Sequence, residues 1–324
     1  MSSAVAVQRS PVGRRLSLWL LAAVLVYLAL TWLFGGAATM EAARRIGGGW
    51  VLIGLLLTTM NFAIRALRWH FLLRTMGARV PPAVDGAVYL AGIGLSATPG
   101  KVGETVRSAL LVRYGVPVGT SLAAFLADRL SDLHAVVLIA LLPLAWAAGW
   151  SDPGVLRWAL VLGLVATAPL VLAAVVRSPW WPRLLEATSR LKLLHRFSDW
   201  LRRGAGDFTG LWRPRVATLS IAASLLAYGL QAATFAGMVA QVAPHVAIST
   251  SYWIFAAATL AGAASFIPGG VGAMELALVL LLRQQGVEGA SALAAALCLR
   301  AVTFWFGLLL GALGLSAAAR MQRG

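Results

Sequence analysis

The run Phe266-Ile267-Pro268-Gly269-Gly270-Val271-Gly272 lies inside an otherwise apolar stretch and cannot continue a regular helix. Pro268 removes a backbone donor and clashes with the preceding turn. Gly269, Gly270 and Gly272 permit positive φ and close backbone approach. At membrane depth, broken backbone survives only where protein or a water-filled cavity surrounds it. A chain that carries such a break in an apolar stretch therefore marks a candidate site there.

The same phrase occurs earlier, as Thr98-Pro99-Gly100-Lys101-Val102-Gly103. Laying Pro99 on Pro268 puts Gly100 on Gly269, Val102 on Val271 and Gly103 on Gly272. After a two-residue insertion, Gly115-Val116 falls on Gly286-Val287, Thr120 on Ser291, Ala123-Ala124 on Ala294-Ala295, and Arg129 on Arg300. The ordered set reads as an internal repeat.

With 60% hydrophobic and 12% charged residues, the chain is too apolar for a soluble globule and fits a polytopic all-α membrane protein. Its net charge of +16 sits in clusters between apolar stretches rather than on one face. That pattern reads as topology signals and contacts for anionic lipid heads, with no nucleic-acid partner. The single cysteine, Cys298, excludes an intrachain disulfide. Arg9, Arg14 and Arg15 precede an apolar run from Leu16 to Phe34. A cleaved signal peptide is one reading, but the run is long enough to span, and an uncleaved first helix is expected.

Loop charge then gives a path of about six transmembrane helices and two re-entrant hairpins. The spans are expected at about 16–36, 49–73, 119–146, 155–176, 216–241 and 290–315. Residues 84–97 and 104–113 flank Pro99-Gly100; residues 251–266 and 273–283 flank Pro268-Gly269-Gly270. None of these arms reaches the roughly 20 residues a span needs. Repeat A covers about 49–146 and repeat B about 216–315, entering from opposite faces as an inverted-topology repeat. Eight full spans is the rival topology. Between the repeats, 177–215 carries nine Arg or Lys and an amphipathic pattern, which reads as a cytoplasmic helix on the membrane surface. Both termini are expected in the cytoplasm.

Each return half-helix begins after Gly103 or Gly272, with free N–H groups and the positive dipole end pointing inward. Two such ends converging would hold a phosphate or carboxylate; the bland alternative is tight helix packing. Arg129 and Arg300 occupy equivalent positions in apolar spans, where an arginine must be paired or hydrated. They can grip an anionic head bidentately, or form static pairs with Asp128, Asp132 or Glu104 and with Glu275. Asp128 and Asp132 share one helix face. Glu104 and Glu275 sit in first turns, where carboxylates complement the dipole. Arg65 and Arg68 read as snorkelling anchors at the cytoplasmic end of the second span. Gly92-Ile93-Gly94 carries no fingerprint. The four histidines show no metal spacing, and no nucleophile–base pair stands out, so neither cofactor nor enzymatic activity is expected.

At these residues the chain resembles the lysylphosphatidylglycerol synthase transmembrane family, also called flippase-like membrane proteins. The resemblance rests on Thr98-Pro99-Gly100-Lys101-Val102-Gly103-Glu104 with Arg107, on Asp128-Arg129-Leu130-Ser131-Asp132, on Ile267-Pro268-Gly269-Gly270-Val271-Gly272 with Glu275, and on Arg300. It implies an inner-membrane protein that moves lipids or lipid-linked sugars between leaflets. Some members carry a soluble domain that aminoacylates phosphatidylglycerol; here only a few residues follow the last span, so lysyl-lipid synthesis is not expected. The leading expectation is a lipid flippase for a phosphate-headed amphiphile. The alternatives are a lipid-modifying transferase and an accessory subunit of a cell-envelope glycosyltransferase.

Overall fold

The computed structural model describes residues 11–95, 102–149, 153–181, 183 and 206–321. These residues are helical apart from short connections, with no strand among them. Helix α1 runs Pro11–Thr75 but is broken at Gly36 (φ 55°, ψ −178°) and Gly47 (φ 77°, ψ 155°). The breaks fall where the first two expected spans end and begin, and a helical stretch at 37–46 joins them. Next come α2 (Pro82–Gly94), α3 (Val102–Val112), α4 (Val118–Ala148) and α5 (Pro153–Arg177). The second half holds α6 (Pro214–Val242), α7 (Ile248–Ala264), α8 (Ala273–Gln284), α9 (Gly289–Arg300) and α10 (Phe306–Met321). Every expected arm and span among the described residues has its helix within a few residues of the expected bounds.

Among those residues, Gly36–Thr75, Pro214–Val242 and Gly289–Ala318 are long and apolar enough to cross a membrane. Helix α4 has 31 residues but carries Asp128, Arg129 and Asp132 in its first half. The arms α7 and α8, at 17 and 12 residues, are each too short to span. Leu52, Leu56, Leu226, Leu309 and Leu313 face outward, as side chains on lipid-facing helices do.

The two halves pack by exchange. The first arm α2 packs most extensively on α10, and its counterpart α7 packs on α4. Helices α1 and α6 pack on one another, α9 packs on α1, and α4 on α6. Swapping the halves exchanges α2–α10 with α7–α4 and α9–α1 with α4–α6, and maps α1–α6 onto itself. The α2–α10 contact is close because both helices present glycines. A Cβ on Gly311 would lie 2.2 Å from backbone atoms of Gly94. Small residues let helix backbones approach when no hydrophobic effect drives helices together.

The local punctuation also repeats. Helix α3 ends at Gly115 (φ 76°) and α8 at Gly286 (φ 77°). In both, the glycine N–H and the following valine N–H bond back to the last turn: Gly115 to Val112 and Val116 to Leu111, Gly286 to Arg283 and Val287 to Leu282. This is the left-handed cap that ends a helix when an N–H reaches back across the turn.

One core lies between α1, α4, α6, α7, α8 and α9, around Phe235, Phe255, Leu278 and Leu299. A second joins the end of α1 to α2, α3 and the start of α4, around Trp69, Tyr89 and Leu111. Phe208 and Leu211 belong to this second core, and Asp207 accepts a 2.6 Å hydrogen bond from the Thr120 hydroxyl. So the end of the basic segment docks onto the protein. Most of the remainder of that segment, 184–205, lies outside the described residues.

Candidate functional site

The second break is a single 3₁₀ turn at Pro268–Gly270, with Gly269 at φ 64°, Gly270 at φ 62° and Gly272 at φ 85°. Side chains at these angles are strained. Phe266 nevertheless sits at φ 54° and is 89% exposed. A bulky residue in this region costs on the order of 1–3 kcal/mol and persists only when its surroundings enforce it. Gly272 caps α8, and its N–H donates to Glu275 Oε2 at 2.9 Å. Glu275 thus complements the dipole at the helix start, as its first-turn position suggested.

Arg300, the last residue of α9, closes this turn from the side. Its Nε donates to Glu275 Oε1 at 2.9 Å, its Nη2 to the Gly269 carbonyl at 2.8 Å, and its Nη1 to Met274 Sδ at 3.8 Å. The guanidinium carbon stands 4.3 Å from the centre of the Phe304 ring. Phe304 lies in a π-helical turn, Ala301–Trp305, inserted directly after Arg300. Such wide turns are common at functional sites because they re-aim side chains. Here Phe304 fills the space where Gly269 would carry a side chain: a Cβ there would lie 2.2 Å from the ring. Arg300 therefore positions the broken turn, and the static pairing with Glu275 is present.

The equivalent arginine in the first half belongs to a larger network. Arg129 Nη2 lies 2.6 Å from Asp128 Oδ2 and 3.4 Å from Asp132 Oδ2. Arg65 Nη2 lies 2.8 Å from Asp132 Oδ2, and Arg68 Nη1 2.8 Å from Asp132 Oδ1. Arg68 Nε donates to Asp128 Oδ1 at 3.1 Å, and Arg68 also donates to Ser224. The Ser224 and Tyr228 hydroxyls donate to Asp132 at 3.2 and 3.4 Å. Arg65 and Arg68 are thus not snorkelling anchors. Their side chains are only 11% and 1% exposed and are spent on carboxylates. Snorkelling needs a path to water for the charged head, and burial against α4 and α6 removes it.

Three arginines here meet two aspartates, so this network keeps an excess of positive charge. It joins α1, α4 and α6, and through Ser224 and Tyr228 it crosses from the first half to the second.

Arg107, on α3, is placed differently. It is 2% exposed, and among the described residues its Nε and Nη1 have no hydrogen-bond acceptor. Its guanidinium carbon lies 4.4 Å from the Tyr89 ring centre and 5.3 Å from that of Trp69. Ring faces contribute at best about 2 kcal/mol each, against several kcal/mol to bury an arginine. Beside it, Asp85 accepts from Trp69 Nε1 at 2.9 Å and faces His70 Nδ1 at 2.8 Å.

Of the residues expected at the site, Asp128, Arg129 and Asp132 come together on α4, and Pro268, Gly269, Gly270, Gly272, Glu275 and Arg300 come together at the second break. Gly103 and Glu104 lie in the first turn of α3. Pro99 and Gly100 lie outside the described residues. Among the described residues, no group of three or more His, Cys, Asp or Glu could hold a metal.

A sequence model of the lysylphosphatidylglycerol synthase TM region matches residues 19–311, a stretch that contains both clusters. The chain belongs to this family. It is also 22% identical over 316 residues to a UPF0104 membrane protein of Methanothermobacter thermautotrophicus, with 91% of this chain and 92% of that protein covered. Membership of the lysylphosphatidylglycerol synthase transmembrane family makes the chain a membrane protein and fits a lipid-related role. In this member, Pro268 to Gly272, Glu275 and Arg300 hold the broken turn and Asp128, Arg129 and Asp132 belong to the buried ion network, while Arg107 lies in neither.

Proposed function

We propose that the chain is a lipid flippase: it moves an amphiphile with an anionic phosphate head across the inner membrane while the acyl or prenyl tails stay in the bilayer. The observation that carries this reading is the network of Arg65, Arg68, Arg129, Asp128 and Asp132, buried except for Arg129, whose side chain is 27% exposed. It holds surplus positive charge within helices that face lipid, and it bridges the two halves of the molecule. Intramembrane charges of this kind mark substrate paths. The exchange packing of the halves supports an inverted repeat whose broken helices alternate in access around that path. In this reading the four short arms are re-entrant, the chain carries no catalytic step and needs no cofactor, and a cell-envelope enzyme that makes or uses the lipid is the natural partner.

The test is translocation by the purified chain in liposomes carrying headgroup-labelled phosphatidylglycerol. Outer-leaflet label is destroyed chemically and the protected fraction is followed over time. Protein-containing liposomes should expose inner-leaflet label much faster than empty ones. An equal rate for every phosphate-headed lipid tried would sink the transport reading and favour an enzyme or an accessory subunit.

The topology that this reading needs has its own test. In a Cys298→Ser background, single cysteines at His195 and His245 should react from opposite sides, position 195 from the cytoplasm and position 245 from outside. His245 is exposed between α6 and α7, which suits labelling. Reaction of both positions from one side contradicts the inverted repeat.

A further inference from the structure

We propose that Arg107, Tyr89 and Arg65 line an oxyanion subsite, between α1, α2 and α3, that takes a phosphate-class group. The subsite adjoins the ion pairs of the α4 network and shares Arg65 with them, and it deepens the transport reading above, resting on it only for the identity of the phosphate bearer.

Three buried side chains here have polar atoms without partners. Arg107 offers Nε and Nη1, Arg65 offers Nε, and Tyr89 offers its hydroxyl. Tyr89 is 0% exposed, yet its ring packs against the Arg107 guanidinium. Buried polar groups normally find partners, and each one left over asks for an explanation such as a missing ligand. All four atoms can donate, so the complementary ligand is an acceptor rich in oxygen.

The charges around them agree. Tyr89 lies within electrostatic range of Arg65, Arg107, Arg129 and Asp128. Both aspartates of the α4 network are already engaged by arginines, and Asp85 is engaged by Trp69 and His70. Among the described side chains, Arg107 therefore adds positive charge that no carboxylate within ion-pair distance offsets. Phosphate matches an arginine's planar array of donors, with tyrosine as an added donor.

The fold also makes room for this arginine. A Cβ on Gly92 would lie 1.9 Å from Arg107 Nε and 2.8 Å from Cδ and Cγ. Gly92 thus has a spatial reason that its sequence context did not give. The Arg107 stem lies across its bare backbone, with Trp69 and Tyr89 against the head.

The experiment uses the full chain in detergent, with inorganic phosphate and dihexanoyl phosphatidic acid as probes, and chloride and dihexanoyl phosphatidylcholine as controls at matched ionic strength. The readout is the saturable rise in melting temperature, titrated to an apparent affinity. Arg107→Gln should lose about tenfold or more, and Arg107→Lys should recover only part of it, because a point charge replaces a planar array. Tyr89→Phe, which keeps the ring, should lose several-fold. Gly92→Ala, which pushes the guanidinium aside, should weaken binding as well.

A response to phosphatidic acid alone supports the subsite and assigns it to lipid headgroups. A response to both probes, or to phosphate alone, supports it and assigns it to the phosphate group itself. Should Arg107→Gln fail to fold, Tyr89→Phe and Gly92→Ala carry the test. Wild-type affinities in the folded variants, or no response beyond the controls, overturn the subsite. Phosphate binding through Arg107 without translocation in liposomes overturns the transport reading and leaves the subsite standing. Translocation with unchanged binding by Arg107→Gln does the reverse.

Discussion

Arg68→Ala is expected to destabilise the folded protein more than any other single change in the α4 network, by about 3–5 kcal/mol. The Arg68 side chain is 1% exposed and touches Asp128, Asp132 and Ser224, residues of two other helices. Its loss leaves Asp128, at 0% exposure, with Arg129 as its remaining close partner. Asp128 Oδ1 then loses its arginine while the carboxylate stays fully buried, and that stranded oxygen, not the lost attraction itself, is what makes the change costly. Arg68→Lys should fall between, because one ammonium cannot reach three acceptors that a planar fork serves together. Arg65→Ala should cost less: Asp132 would keep Arg68, Arg129, Ser224 and Tyr228. Melting curves of purified protein in detergent, read beside monodispersity, give the order. Equal melting temperatures for Arg68→Ala and wild type would mean that water reaches Asp128 and that this carboxylate is not sealed between α1, α4 and α6.

The same contacts bear on how the halves could move. Asp132 is held by arginines of the first half and by hydroxyls of the second. Rocking of one half against the other would loosen Ser224 and Tyr228 from Asp132 while Arg65 and Arg68 keep it. The hydroxyl contacts are the longer ones, at 3.2 and 3.4 Å. A hydroxyl bond to an ionised carboxylate is worth about 1.5–3 kcal/mol, and breaking a buried ion pair costs about 3–5 kcal/mol. The seam between the halves thus runs through the weaker bonds.

Much of this was legible in the sequence, for local reasons. Pro268, Gly269 and Gly270 had to break a helix, and they do so without tertiary help. The breaks at Gly36 and Gly47 bracket a connection that apolar length alone implied, although the connection itself is helical. Arg300 and Glu275 are one helical connection apart, so their pairing could be weighed from spacing. Arg65 and Arg68 were misread because the end of an apolar run gives charge but not surroundings. Only the packing of α1 on α4 and α6 shows that their heads face carboxylates rather than water. The π turn at Ala301–Trp305 has no local signature, since it exists to seat Phe304 over Gly269. Gly92 is similar: its neighbour in space, Arg107, is carried by a different helix, α3. Pro99 and Gly100, where the repeat places the other expected break, lie outside the described residues.

Arg300→Ala is expected to abolish translocation, and Arg300→Ala with Glu275→Gln is expected not to restore it. The guanidinium performs three tasks at once: it neutralises Glu275, it satisfies the Gly269 carbonyl, and it lies against Phe304. Removing it strands a buried carboxylate, at about 3–5 kcal/mol, and a backbone acceptor, at about 1–3 kcal/mol. Glu275→Gln removes the stranded charge, and its amide oxygen can still accept from the Gly272 N–H. The double variant should therefore regain most of the lost melting temperature. It should not regain function, because the Gly269 carbonyl and the Phe304 face still lack the group that fixed the turn. Gly269→Leu reaches the same turn from its other side. It adds a side chain at φ 64° and drives a Cβ to within 2.2 Å of the Phe304 ring. It should insert into the membrane and fail to translocate, with the stability loss of an overpacked site, about 1–3 kcal/mol. The measurements are melting in detergent and lipid translocation in liposomes, made on the same preparations. Full functional recovery by the double variant would reduce Arg300 to a counter-ion for Glu275. Normal translocation by Gly269→Leu would remove the broken turn from the transport path altogether.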